Sequence, residues 1–166
     1  AALHAVGSLA VSLCRALCTS GQIDLIDIEL SAGEEAVRAL VGAAHAAGVA
    51  AVVSSHDFTA TPPEAEMTAR LCRMQALGAD IAKLAVMPRD RRDVAALLAA
   101  TAEMADRHSE TPVITMSMGP LGVVSRLVGE AFGSAATFAA AGHVSAPGQP
   151  ALEQALALLS GLHECL

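Results

Sequence analysis

A lysine in the middle of a predicted buried strand is the residue of this sequence best suited to covalent chemistry. Residues 79–88 are an apolar run in which Leu84 and Val86 alternate onto one face. Lys83 lies on the other face among apolar neighbours, namely Ile81, Ala85 and Met87. An amine in such surroundings must pair with an acid, reach solvent or lose its proton, and a neutral amine can form a Schiff base with a carbonyl. The alternative is an ordinary salt bridge at a frayed strand end.

Further polar side chains lie near the ends of the other predicted strands. Asp27 and Glu29 share one face of the first strand, and His56 with Asp57 follows the second. Ligands of parallel α/β sheets bind beyond the carboxyl ends of the strands. A lysine for covalent attack, a histidine for proton transfer and a glycine-containing loop at residues 145–149 with N–H donors for an anion would together serve carbonyl chemistry.

Each of these polar residues also has a purely structural interpretation. His56 can be a satisfied histidine at a strand end, Asp57 can cap the turn that follows, and a salt-bridged or supporting role is favoured for Glu29. Arg126, alone in an apolar helix, is either a surface residue or a buried group that grips a carboxylate or phosphate. A metal would need His56, Asp57 and Asp27 to converge, but adjacent strand residues point in opposite directions, so no metal is expected.

The composition favours a soluble cytoplasmic protein and disfavours nucleic acid as a partner. The chain has 166 residues, is 54% hydrophobic, carries a net charge of -7 and lacks Tyr and Trp. Nucleic-acid binding would call for a basic face and stacking rings. No uninterrupted apolar run approaches the roughly 18 residues of a membrane span, so no membrane contact is expected. The four cysteines lack CxxC metal spacing and are expected to be reduced thiols.

Strands and helices are predicted to alternate along the whole chain. An apolar helix over residues 1–19 precedes five strands, at residues 23–30, 49–55, 79–87, 113–118 and 134–139. Helix starts are predicted by the capping-box pattern Ser31-x-x-Glu34 and by Thr61, with proline at the first helical position. A loop is predicted at 119–122, and the last helix at about 151–162. This rhythm indicates βα units with a parallel sheet, either doubly wound or a barrel segment.

Taken together, the polar segments resemble those of type I 3-dehydroquinate dehydratase. The similarity runs in order nearly end to end, and its specific parts are the lysine strand, the Ser-x-His-Asp-Phe element and the Ser-Ala-Pro-Gly-Gln loop. The segments that carry it are residues 23–30, 54–58, 81–88, 114–119, 125–127, 132–138 and 145–149.

The resemblance implies a (β/α)8 TIM barrel, to which residues 1–166 contribute one domain with about five parallel strands, the fourth to the eighth. It implies a lyase that dehydrates 3-dehydroquinate to 3-dehydroshikimate, in the shikimate pathway of aromatic amino acid biosynthesis, without metal or organic cofactor. Lys83 would form a Schiff base with the substrate ketone, and His56 would be the general acid and base. The other matched residues would contact the substrate: Arg126, Ser145 and Gln149 as polar contacts, Asp27 beside the lysine, and Phe58, Met116, Met118 and Phe138 as pocket walls.

The resemblance also implies that part of the family's barrel lies outside this sequence. About three N-terminal strands are absent from the match, and with them the acid that orients the histidine and the residues that bind substrate hydroxyls. We therefore expect an incomplete barrel that is poorly soluble or nearly inactive alone, and a homodimer for the complete enzyme. The alternatives are an aldolase-like Schiff-base enzyme that shares Lys83, a non-catalytic binding domain derived from the barrel, and a structural partner subunit.

Overall fold

The computed structural model describes residues 11–144 and 146–165 and contains a parallel sheet flanked by helices. Residues 11–18 are helical, and the rest of the predicted N-terminal helix lies outside the described residues. The strands are β1 (Leu25–Glu29), β2 (Ala50–Asp57), β3 (Ile81–Val86) and β4 (Val113–Ser117). The helices are α1 (Glu34–Ala46), α2 (Glu64–Ala76), α3 (Arg91–Arg107), α4 (Gly119–Val128) and α5 (Leu152–His163). None of these helices is both long and apolar enough to cross a membrane.

The four strands pair in chain order, β1-β2-β3-β4, and every pair is parallel. Helices α1, α2 and α3 bury their apolar stripes against the same face of this sheet, in one continuous core. A doubly wound fold would place helices on both faces and break the sequential order. The doubly wound alternative is therefore wrong for the described elements.

The predicted alternation of the lysine strand is confirmed. Leu84 and Val86 pack into the core beneath the helices. Ala85 packs on the opposite face with Met116 in a second, smaller cluster. Because successive strand residues point to opposite faces, Lys83 emerges on the side away from the helices.

The prediction of a fifth strand at residues 134–139 is wrong. Ser134 forms a single parallel bridge with Val113, and the Ala135 N–H donates to the Val113 carbonyl at 2.8 Å. The next donor of β4, the Thr115 N–H, is bonded by the Ser134 hydroxyl at 3.2 Å instead of by a backbone carbonyl. A side chain thus takes the place of the next ladder bond, and the chain leaves the sheet after one residue.

The two predicted helix starts also differ from the structure. Ser31 does not cap α1, because it lies in a 3₁₀ turn, Leu30–Ala32, and the helix begins after Gly33 in a positive-φ conformation. Pro63 is the residue before α2 and not its first helical residue. Thr61 makes no cap either, since its hydroxyl donates to a backbone carbonyl just beyond β3 at 3.0 Å.

Residues 119–122, predicted as a loop, are the first turn of α4. The helix begins very close to the end of β4, because a Cβ on Gly122 would lie 2.2 Å from the carbonyl oxygen of Ser117. Glycine at this position therefore allows α4 to start directly beside the end of its strand.

We predict that Gly122→Ala destabilises the chain whereas Gly42→Ala stabilises it. At Gly122 the added methyl group must displace backbone, and overpacking of this kind costs about 1–3 kcal/mol. Gly42 is exposed in the middle of α1 with nothing within 4 Å of an added Cβ, so alanine gains about 0.5–1 kcal/mol of helix propensity. Urea unfolding of both variants measures the difference, and equal stabilities would contradict the close approach of α4 to β4.

Candidate active site

The open face of the sheet, the residues just beyond β2 and β4, helix α4, Phe138 and the loop at 146–149 line a cavity of about 280 Å³. Asp27 lies behind the lysine on β1, and Ser145 lies outside the described residues, so its predicted contact stays a prediction. Eight of the ten predicted site residues line the cavity, namely His56, Phe58, Lys83, Met116, Met118, Arg126, Phe138 and Gln149.

Lys83 is held in the middle of the sheet. Its strand neighbours are Ser54 on β2 and Ile114 on β4, so the alternative of a frayed strand end is wrong. The side chain is 13% exposed, and Nζ donates to Asp27 Oδ2 at 2.7 Å. Nζ also lies 5.0 Å from the centre of the Phe138 ring, within range of a cation–π contact.

Lys83 is also the only lysine in the 166 residues. All other basic side chains are arginines or histidines. A single lysine, placed inside a sheet, is a stronger signal than the apolar alternation alone, and this count was available in the sequence. It also means that a lysine-directed reagent can modify one side chain at most.

His56 is oriented by an acid on the neighbouring strand. Its Nδ1 lies 2.6 Å from Glu29 Oε2, and its backbone N–H donates to Glu29 Oε1 at 3.3 Å. With the carboxylate as acceptor, Nδ1 donates and Nε2 is left for proton transfer. The ring stacks on Phe58, with centres 5.9 Å apart and planes 11° apart. This contact agrees with the salt-bridged or supporting role favoured for Glu29.

The acid that the resemblance places in strands outside this sequence, as the group that orients the histidine, stays a prediction. Within this chain Glu29 contacts His56, because the strand partner of Glu29 is Ser54 and His56 lies two residues beyond Ser54 on the same face of β2. The pairing depends on the register of β1 against β2, which local sequence patterns do not contain.

Ser54 joins the two acids and was not predicted as a site residue. Its hydroxyl donates to Asp27 Oδ1 and lies 3.3 Å from Glu29 Oε2. The residue is 1% exposed. A hydrogen-bonded chain therefore runs from Lys83 through Asp27, Ser54 and Glu29 to His56. The signal in the sequence was the spacing of two between Ser54 and His56, which puts both on one face of β2.

Arg126 is a buried cation that lines the cavity. It is 1% exposed, so the surface alternative is wrong. Nη1 lies 3.2 Å from the Met116 sulfur and Nη2 donates to the Pro147 carbonyl at 3.4 Å, while Nε has no partner among the described residues. Burial lowers the pKa of this guanidinium. A buried guanidinium favours an anionic ligand, which it can bind bidentately.

Loop residues 146–149 close the cavity above α4. The Gly119 N–H donates to the Pro147 carbonyl at 3.1 Å, which ties the loop to the start of the helix. Gln149 Oε1 accepts from the Ala146 N–H at 3.3 Å and so stabilises the turn from within. The loop is therefore positioned by the same helix that carries Arg126.

Asp57 caps the turn that follows β2, which is the structural alternative given for it from the sequence. Its Oδ1 accepts from the Thr59 N–H at 3.0 Å, the Thr59 hydroxyl at 2.8 Å and the Ala60 N–H at 2.9 Å. These hydrogen bonds, the Thr59 N–H foremost, hold the pKa of the carboxyl below its usual range. Across residues 11–144 and 146–165, no three His, Cys, Asp or Glu side chains form a group that could hold a metal ion.

Comparison with known proteins was decisive for the family. The family model described as type I 3-dehydroquinase matches residues 7–165. The chain belongs to the type I 3-dehydroquinase family. Among curated members, the 3-dehydroquinate dehydratase of Salmonella paratyphi B is 51% identical over 154 residues, which are 93% of this chain and 61% of the relative.

Solved structures of the type I 3-dehydroquinase family share the fold. The type I 3-dehydroquinate dehydratase of Clostridium difficile, with covalently modified comenic acid, gives a TM-score of 0.92 at 46% identity over 96% of this chain and 63% of that one. The 3-dehydroquinate dehydratase of Geobacillus kaustophilus gives 0.89 at 43% identity over 93% of this chain and 60% of that one. The chain thus spans about 61% of the length of the curated relatives it matches.

We predict that Asp57→Ala lowers the stability of the chain at neutral pH and that the loss shrinks in acid. The lowered pKa means that ionised Asp57 contributes stability above the ordinary aspartate pKa of about 3.9, and that this contribution disappears as the pH falls through the lower folded value. The loss at pH 7 should be about 0.5–2 kcal/mol, as for capping aspartates. Urea unfolding at several pH values measures it.

The control is Asp57→Asn, which keeps an oxygen acceptor for the turn and should lose less stability. A difference between Asp57→Ala and the unchanged chain that stays constant down to pH 2 would contradict the assignment.

Proposed function

We propose that this chain carries the imine-forming part of an active site that dehydrates 3-dehydroquinate to 3-dehydroshikimate, a lyase reaction of the shikimate pathway. One observation carries the proposal: the only lysine of the chain lines a cavity that His56 also lines. The lysine amine donates to Asp27, and His56 on β2 is paired with Glu29 on β1. Family membership supports it, because a relative named 3-dehydroquinate dehydratase is 51% identical.

Lys83 is proposed as the nucleophile. Its amine, after losing a proton, adds to the ketone carbon of the substrate, and the former ketone oxygen leaves as water to give an iminium ion. The positive nitrogen draws electrons from the neighbouring carbon, so removal of a proton there gives a neutral enamine in place of a carbanion. This is the physical advantage of an amine over an acid or a metal at this position.

His56 is proposed as the general base and acid. Its free Nε2 takes the proton from the carbon beside the iminium and then delivers a proton to the departing hydroxyl group, which leaves as water. Hydrolysis of the product imine by one water returns Lys83 to its starting state, so the net change is the loss of one water from the substrate. Glu29 keeps the ring oriented and stabilises the imidazolium that forms between the two transfers.

The remaining site residues are proposed to bind the substrate. Arg126 would hold the substrate carboxylate, which supplies the anion that its buried guanidinium lacks among the described residues. Gln149 and Ser145 would contact hydroxyl groups. Neither metal nor organic cofactor takes part in this scheme. The apolar walls would keep water from the iminium, and they consist of Phe58, Met116, Met118 and Phe138.

We also propose that β1 to β4 are consecutive strands of a (β/α)8 barrel, with the single bridge at Ser134 at the position of the next strand. The sequential parallel order and the coverage of 63% of the Clostridium difficile chain support this. The numbering of these strands as the fourth to the eighth stays a prediction. The single domain, the homodimer of the complete enzyme, the absence of nucleic-acid or membrane partners, and the cytoplasmic location also stay predictions.

The test is to trap the imine. The chain is mixed with 3-dehydroquinate and borohydride, and we predict a single adduct on the peptide that contains Lys83, because the chain has one lysine. Lys83→Ala should give no adduct on that peptide. His56→Ala should slow trapping by at least tenfold, since proton transfer by a positioned side chain is typically worth 10²–10⁴ in rate.

The outcomes separate the candidate functions. An adduct on Lys83 together with release of 3-dehydroshikimate supports the dehydratase. An adduct without product favours a binding domain derived from the barrel. A folded sample that forms no adduct on Lys83 would contradict the proposal.

A further inference from the structure

We propose that Ser54 is a positioning residue that sets the reactivity of Lys83 by sharing one hydroxyl proton between Asp27 and Glu29. The inference deepens the proposed function, since it concerns the same amine. Its test needs no 3-dehydroquinate, so the two proposals can fail separately.

The register of the sheet fixes Ser54 between the two acid–base pairs. Glu29 on β1 is the strand partner of Ser54, and Ser54 is in turn the partner of Lys83 on β3. Residues in register across parallel strands share a face, so these three side chains form one row. Asp27 lies two positions before Glu29 and therefore on the same face of β1. The serine is thus the only residue of β2 in this row.

The hydroxyl of Ser54 faces two acceptors with a single proton. A serine hydroxyl carries one donor, and a carboxylate is an acceptor only. Ser54 donates to Asp27 Oδ1, and its oxygen is also 3.3 Å from Glu29 Oε2. The second oxygen of Asp27 holds Lys83, and Glu29 Oε2 also holds His56. A hydrogen bond that the Ser54 hydroxyl donates to one carboxylate is therefore not available to the other.

This sharing acts on the amine through Asp27. A carboxylate that accepts a hydrogen bond from a hydroxyl group attracts the lysine ammonium less strongly than a carboxylate without that hydrogen bond. Removal of the hydroxyl also leaves Asp27 and Glu29 facing each other with no donor between them, and like charges in proximity hold cations more tightly. Both effects favour the ammonium form of Lys83, and only the neutral amine attacks a carbonyl.

Other charged groups face the same region and are present in every variant of the test. The groups that face the row and its cavity are Asp27 and Glu29 from β1, His56 from β2, Lys83 from β3 and Arg126 from α4. Cys14, from the helical residues 11–18, packs against the helix-side core, although burial, then Cys18 and then Asp27 raise the pKa of its thiol.

The chain offers a matched control in the next residue. Ser55 is also buried, at 8% exposed, but its side chain lies on the opposite face of β2, where its hydroxyl accepts from Arg70 at 3.3 Å. Ser55→Ala removes the same group from the same strand without touching the acids. Ser54→Thr keeps a hydroxyl at the original position.

The experiment is reductive methylation of the chain with formaldehyde and cyanoborohydride between pH 5 and 10. The amine adds to formaldehyde, water leaves, and hydride from the reagent reduces the iminium to a methylamine. Peptide mass spectrometry gives the rate at Lys83, and the α-amino group of the same chain is the internal reference. We expect Ser54→Ala to slow methylation at pH 7 by roughly tenfold, the size for a lost hydrogen bond to a charged group, and to move the half-maximal rate to higher pH.

Ser54→Thr should restore most of the rate, and Ser55→Ala should match the unchanged chain. Ser54→Cys keeps the side-chain volume but has only a weak donor, so its methylation rate should be close to that of Ser54→Ala. This second variant keeps the test valid if the alanine variant does not fold. Profiles of Ser54→Ala and Ser54→Cys that coincide with that of Ser55→Ala would overturn the proposal.

Discussion

The pairing of two carboxylates with an amine and an imidazole is the interaction on which the site depends. Asp27 and Glu29 lie two residues apart on one face of β1, where like charges repel each other. Lys83 from β3 donates to Asp27 at 2.7 Å, and the His56 ring from β2 donates to Glu29 at 2.6 Å. The parallel register brings the partners together across three strands. The same contacts that relieve the repulsion therefore hold the nucleophile and the proton-transfer group in fixed positions on one face of the sheet.

Patterns within single segments predicted what depends on single segments. The period of two placed Lys83 opposite the helix-facing side of β3, and the βα rhythm predicted the parallel sheet. Features that depend on two segments were missed. Glu29 meets His56 only through the register of β1 with β2, and the strand expected at residues 134–139 was replaced by one bridge because the Ser134 hydroxyl bonds the Thr115 N–H. A capping pattern at Ser31 failed because Gly33 starts the helix instead.

The cavity complements this pair of reactive groups with one buried cation. Arg126 is nearly inaccessible, and across the described residues it bonds to a sulfur and a carbonyl and not to a carboxylate. Such a group is costly without an anion, so its placement in the same cavity as the lysine suits a ligand that has both a carbonyl and a negative charge. The loop at 146–149 contacts the start of α4, the helix that carries Arg126, so one helix positions both the loop and the buried cation.

The most direct test of this account is a crystal structure of the chain after borohydride trapping with 3-dehydroquinate. The account predicts a covalent bond from Lys83 Nζ to a ring carbon inside the cavity of about 280 Å³, with the ligand carboxylate within hydrogen-bonding distance of the Arg126 guanidinium and His56 still on Glu29. A ligand whose carboxylate points away from Arg126, or a His56 ring turned away from Glu29 and the adduct, would contradict it.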